Sequence, residues 1–398
     1  MSIKGFTLVQ KRRIGTQMIN VPRVLFLDDE INILKSLKRV LRLHCRDWQF
    51  EFCTSSDDAL SLLSSFDPWV VVSDKLMPGM DGGDFLRIVS KQKPATVRVL
   101  LTGDTSPEVA LEVSDVAHML IAKPFEIKTF VQLLNRAQSL RTLPISDAIR
   151  RQLGSIEYLP VVPKVYRELT NYLGNDKIET DEIARIISME PFVLAKLIQL
   201  ANSAFFAFPR PVTNPHEAVV RFGVEFIKNL VLCFAVFRPS DTANEKMSNR
   251  LFSDAMDIAL ICRQLALACN FDKVYLDQSF ILGLLHNIGM LMSDMLSITP
   301  QPQEKITQLS EGNIVGAYLL ALWEFNPEFV NATLYQDGPG QAEKINSLCC
   351  ILYVAKIFSS ARKKGVGALS QLSVTDMSLL KSQGLLDDII ACVSETKY

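Results

Sequence analysis

The chain has 398 residues, 48% of them apolar, and a formal net charge of −1 from 42 basic and 43 acidic side chains. That length exceeds one ordinary core and predicts two or three domains. Balanced charge excludes a global pull toward nucleic acid or anionic lipid, and no apolar run approaches the roughly 18 residues that span a bilayer.

Residues 1–22 read as a basic tail without the apolar core of a signal peptide. From Val24 onward, short β-branched runs alternate with helical patterns. VLFL (24–27), FEFC (50–53), VVVS (70–73), VRVLL (97–101) and HMLIA (118–122) predict strands. Ile33, Leu37, Val40 and Leu41 share one face of the first intervening helix. Continuous apolar strands separated by helices predict a five-stranded, doubly wound parallel sheet covered on both faces. Beyond Leu140 strand signals fade and an all-helical region follows. Thr180 is placed to cap a helix carrying Asp181 and Glu182 in its first turn, and Pro191 suits the first turn of the next. There Leu194, Leu197, Ile198 and Ala201 form a stripe. PSDTANEKMSNR (239–250) and TPQPQEK (299–305) read as loops. The expected domains are 23–140, a helical linker over 141–150, a helical domain over 151–355 and a helical extension over 356–398. Eight cysteines without CxxC spacing predict reduced thiols and a cytoplasmic location.

Asp28 and Asp29 follow the first predicted strand, Asp74 the third, Thr102 the fourth and Lys123 the fifth. In a parallel sheet these are all carboxyl ends, the edge where such sheets bind ligands. Each residue alone also fits a structural role: a helix cap, a turn residue, a surface lysine. Together they place three carboxylates at one edge, where they repel unless a cation joins them, and Mg²⁺ suits carboxylate oxygens. A carboxylate there can act as nucleophile toward a phosphoryl group. LFLDDE, VVVSDKLMPGMDG, LLTG and KPF resemble the motifs of two-component response-regulator receiver domains across residues 23–140. The resemblance implies that Asp74 is the phosphoacceptor and that Asp28, Asp29 and Asp74 hold Mg²⁺. It also implies that Thr102 and Lys123 contact the phosphoryl group and that the Lys123–Pro124 bond is cis. The position three residues before the lysine, normally aromatic, is Leu120. The ring movement usual in that family is therefore not expected, and the segment 126–140, with Phe130, Leu133 and Leu134 on the sheet, is the expected route toward the second domain.

Of four histidines, only His216 and His286 lie in the helical region. A catalytic transition-metal site needs several imidazole or carboxylate ligands with an open position. IISMEPFVLAKLIQLANSAFFAFPRPVTNPHEAVVRFG (186–223) and LLHNIG (284–289) resemble the HDOD family, a helical relative of HD and HD-GYP phosphohydrolases. Placed on the catalytic pattern, Asp254 stands where the first metal-binding histidine would lie. His286 is kept, Asn287 replaces the aspartate, and Tyr335 and Gln336 replace further histidines. The resemblance thus implies a domain without HD chemistry, with LLHNIG kept for packing. FFAFPRP (205–211) is open to two readings, a partner-facing anchor or a loop folded on the core. The expected function is a response regulator, not an enzyme. Its partners would be a histidine kinase or phosphotransfer protein and a downstream signalling protein bound by the HDOD domain, with no nucleic acid and no membrane. A homodimer and a place in a cyclic-dinucleotide network are compatible with it. The alternative is a degenerate HD-type phosphodiesterase acting on a cyclic dinucleotide.

Overall fold

Each β-branched run of the first half becomes a strand of one sheet: β1 (Arg23–Leu27), β2 (Gln49–Cys53), β3 (Val70–Asp74), β4 (Val97–Thr102) and β5 (Met119–Ala122). The strands pair in parallel in the order β2-β1-β3-β4-β5. β3 and β4 are buried along their whole length, whereas the edge strand β2 is exposed on alternate residues. This is why the central runs are mostly Val and Leu, with Arg98 buried in β4, while FEFC alternates. Helices α1 (Ile31–His44), α2 (Ser56–Phe66) and α3 (Gly82–Gln92) connect them. Leu34, Leu37 and Leu41 of α1 face the core, with Ile33 and Val40 half-buried beside them.

The computed structural model describes residues 21–103, 116–125, 163–174, 177–203, 205–206, 208–237, 245–293, 309–323, 325–342 and 344–395, and single positions between 130 and 153. The tail over 1–20, the loop over 299–305, Leu133 and the side chain of Leu120 lie outside them. The chain divides into two compact units, one reaching residue 142 with 150–157, the other 143–149 with everything from 158. In the first unit Phe130, Leu134, Ala137 and Leu140 are buried at helical spacing, and the Phe130 ring lies 5.7 Å from Phe26. Arg150 Nη1 donates to the Leu140 carbonyl at 2.6 Å.

The second unit is helical: α4 (Lys164–Leu173), α5 (Thr180–Ser188), α6 (Pro191–Ala201), α7 (Pro215–Phe222), α8 (Val224–Val236), α9 (Glu245–Ala268), α10 (Lys273–Leu285), α11 (Glu311–Leu322), α12 (Pro327–Leu334), α13 (Ser347–Lys364), α14 (Val374–Ser382) and α15 (Leu386–Glu395). Pro191 opens α6 as expected, but the buried stripe is Val193, Leu197, Leu200 and Ala201, with Leu194 and Ile198 only half-buried. Thr180 is not a cap: Glu179 occupies the N-cap position of α5 without a side-chain capping hydrogen bond, and the Thr180 hydroxyl lies 3.0 Å from His216 Nε2. Residues 245–250, expected in a loop, begin α9. The boundary expected at 355/356 falls within α13, whose buried face continues from Leu348 to Ala361, so helix and extension share one core.

Candidate functional site

Asp28 is the first residue after β1, and Asp74 is the last of β3. These strands are neighbours, with Leu27 opposite Ser73, so both carboxylates emerge at the same edge. β1 is also where the strand order reverses, which leaves a crevice outside the strand ends. The Asp28 N–H donates to the Cys53 carbonyl at 3.2 Å, and Asp28 Oδ1 accepts from the Glu30 N–H at 2.9 Å. Asp28 and Asp74 are buried, at 1% and 7% exposure, while Asp29 faces solvent. One ligand oxygen from each of the three lies within 4.8 Å of the others.

The residue after β5 brings a counter-charge into direct contact with them. Lys123 Nζ donates to Asp28 Oδ2 at 3.0 Å and to Asp74 Oδ1 at 2.6 Å. Its position is fixed by its own N–H, which donates to the Thr102 carbonyl at 2.7 Å, extending the β4–β5 ladder. The Lys123–Pro124 peptide is cis, as the receiver resemblance implied. Thr102 is buried at the end of β4. The five residues singled out in the sequence therefore meet at one edge.

Burial pushes the Asp74 carboxyl up, and Lys123 only partly offsets this, so its pKa stays above the ordinary aspartate value. Burial would lower Lys123, but hydrogen bonds to Asp74 and Asp28 outweigh it and the ammonium is held above its usual value. One ammonium against three carboxylates leaves negative charge unbalanced. All the donors are hard oxygens, so this set fits a divalent cation such as Mg²⁺.

Behind Asp74 the backbone turns sharply. The Lys75 N–H donates to the Leu101 carbonyl at 2.9 Å and the Gly82 N–H to the Lys75 carbonyl at 2.9 Å. A Cβ on Gly82 would stand 2.0 Å from the Asp74 carbonyl oxygen and 2.8 Å from Leu100 Cδ1. Only glycine lets α3 start this close to Asp74.

In the helical unit His286 is buried and its Nδ1–H donates to the Gly283 carbonyl at 2.7 Å. Burial, reinforced by the Lys356 ammonium, lowers its pKa to about 4, so the ring is neutral at physiological pH. Asn287 Nδ2 donates to the Leu251 carbonyl at 2.9 Å. The Asp254 carboxylate accepts from Lys363 Nζ at 2.6 Å. Gly289 packs against α11, where a Cβ would meet the Gly312 carbonyl at 2.0 Å, so the last residue of LLHNIG serves helix contact. Gln336 is buried, its amide nitrogen donating to the carbonyl oxygens of His286 at 2.9 Å and Thr333 at 3.0 Å and to Asn313 Oδ1 at 2.8 Å. Lys356 and Asn313, absent from the sequence reading, complete this network.

FFAFPRP is settled by its rings. Phe206 lies edge-on to Phe222 at 4.8 Å and to Phe280 at 5.6 Å, and Phe208 edge-on to Phe222 at 5.2 Å. The aromatics fold onto the core, and Pro209, Arg210 and Pro211 are what remains exposed.

Comparison with known proteins agrees with this division. The chain is 30% identical over 148 residues to the C4-dicarboxylate transport transcriptional regulatory protein DctD of Rhizobium meliloti, covering 36% of this chain and 32% of that one. It is 25% identical over 201 residues to an uncharacterized protein of Treponema pallidum, covering 50% of this chain and 38% of that one. The chain thus spans roughly a third of the length of these relatives. Among solved structures, the signal receiver domain of an HD domain-containing protein from Pseudomonas fluorescens is 28% identical. It covers 29% of this chain and 94% of that one, with a TM-score of 0.28. Family models match two stretches of the chain: a response regulator receiver domain over residues 24–135 and an HDOD domain over residues 159–314.

Proposed function

We propose that the protein is a cytoplasmic response regulator in which Asp74 accepts a phosphoryl group from a histidine kinase or phosphotransfer protein. The observation that carries this is the convergence of Asp28, Asp29 and Asp74 within 4.8 Å, with Lys123 bonded to two of them. An Asp74 oxygen attacks phosphorus, the donor's P–N bond breaks, and the departing imidazole nitrogen takes up a proton. Lys123 supplies positive charge to the oxygens of the resulting acyl phosphate, and the buried Thr102 borders the position they would occupy. Mg²⁺, held by Asp28, Asp29 and Asp74, would neutralise the carboxylates and the incoming phosphoryl oxygens. The new group adds about −1.5 to −2 charge at this edge.

The HDOD domain is read as a non-catalytic output that binds a downstream signalling protein. Three observations support this: His286 is neutral and bonded to its own helix, Asp254 is paired with Lys363, and Asn287 binds a carbonyl. Incubation with a small phosphodonor and Mg²⁺ is expected to label the wild type and leave Asp74→Asn unlabelled. Equal labelling of that variant would show that another residue is the acceptor.

A further inference from the structure

A polar network in the HDOD domain is used neither by the phosphoacceptor site nor by partner binding as proposed above. The end of α10, the first turn of α11, the end of α12 and the middle of α13 meet at Gln336, which is 1% exposed. Its amide nitrogen joins His286, Asn313 and Thr333, and its Oε1 accepts from Lys356 Nζ at 2.9 Å. The same ammonium donates to Asp337 Oδ1, and Asp337 Oδ2 accepts from Asn313 Nδ2 at 2.8 Å. Burial would raise the Asp337 carboxyl, but Lys356 and Asn313 hold it below the ordinary aspartate value. His286 feels Lys356 on one side and Asp337 and Asp254 on the other.

Among the described residues, His286, Asp254 and Asp337 do not bring ligand atoms within 4.8 Å of one another, so they form no divalent-metal cluster. Here the charges already cancel: Lys356 balances Asp337, and Lys363 balances Asp254. We propose that Lys356 is the resident cation of this pocket. Its ammonium, held by Gln336 and Asp337, ties α13 to the α12 end, and its charge disfavours a divalent ion beside His286. A covalently attached cation cannot dissociate, so the domain keeps its helix packing without metal. The inference rests on the non-catalytic reading of the domain and supplies its physical reason.

With Lys356 shortened, Asp337 and Gln336 Oε1 lose their donor. Because the lysine side chain is 27% exposed, the gap is open to small cations from solvent. The test uses the full chain carrying Asp29→Ala and Asp74→Ala, so that the receiver carboxylates do not bind metal. Adding Lys356→Ala is expected to lower the melting temperature by roughly 4–8 °C. Millimolar ethylammonium or Mn²⁺ should recover at least half of that loss while leaving the parent unchanged, and the bulkier tetramethylammonium should recover none. Should Lys356→Ala not fold, Lys356→Met, which keeps the apolar stem, is expected to melt lower than the parent and to be raised by Mn²⁺. An undiminished melting temperature, or variants that respond to neither cation more than the parent does, overturns the inference alone. Stoichiometric Mn²⁺ bound by the parent's HDOD domain overturns it together with the non-catalytic reading.

Discussion

Lys123 carries an unusual share of the receiver's electrostatics, since it bonds Asp28 at 3.0 Å and Asp74 at 2.6 Å while both carboxylates are buried. Lys123→Ala strands two like charges in a poorly solvated pocket and is expected to cost about 2–4 kcal/mol of stability in the presence of EDTA. Millimolar Mg²⁺ should return part of this, because a ligand bound only by the folded state stabilises it. Denaturant midpoints with and without metal test the point, and equal midpoints would mean that the carboxylates do not share a cation. His286 gives a second prediction at this scale. Its folded pKa of about 4 lies below the ordinary 6.5, so protonation favours the unfolded chain. The stability it contributes is present above pH 6.5 and lost as pH falls toward 4, by up to about 3 kcal/mol. The same measurement on His286→Gln should show a loss smaller by that amount. A slope identical to wild type would place the titration elsewhere. The residues of the sheet edge were legible because each stands at the end of an apolar run, where position along the chain fixes position at that edge. Lys356 was not: its partners Gln336 and Asp337 lie 20 and 19 residues away, and nothing local marks the pairing.

At the scale of elements, the strands were legible for the same reason, since β-branched runs bounded by polar residues have few alternatives in a doubly wound sheet. Helix registers were less so. The α6 stripe shifts to Val193, Leu197 and Leu200, because α6 is apolar on more than one face and tertiary contact chooses among them. Thr180 shows a similar limit, its hydroxyl being taken by His216 across 36 residues. FFAFPRP carried both readings until the positions of Phe222 and Phe280 were known. The contact between α3 and β3 yields a sharper expectation. Gly82→Ala would press a methyl against the Asp74 carbonyl and Leu100, so α3 or the end of β3 must move. A cost of about 1–3 kcal/mol is expected, with slower phosphodonor labelling because the acceptor carboxylate is displaced. Wild-type stability and labelling in this variant would show that the α3 start yields freely.

At the scale of the whole molecule, the chain joins a receiver domain to a helical HDOD domain. No helix among the described residues is long and apolar enough to cross a membrane. The sheet unit continues past β5 into helical positions whose buried residues, Phe130, Leu134, Ala137 and Leu140, pack in that unit. With leucine at position 120, this segment is the expected carrier of the signal, and an energy difference of about 1–3 kcal/mol between two arrangements suffices to control a partner. Hydrogen exchange tests this most directly, comparing the full chain with and without phosphodonor and Mg²⁺, and against Asp74→Asn. Phosphorylation is expected to change exchange across residues 126–150 and in part of the HDOD domain, with no change in the variant. Changes confined to residues 102–120, with none beyond 126, would contradict control of the HDOD domain by Asp74.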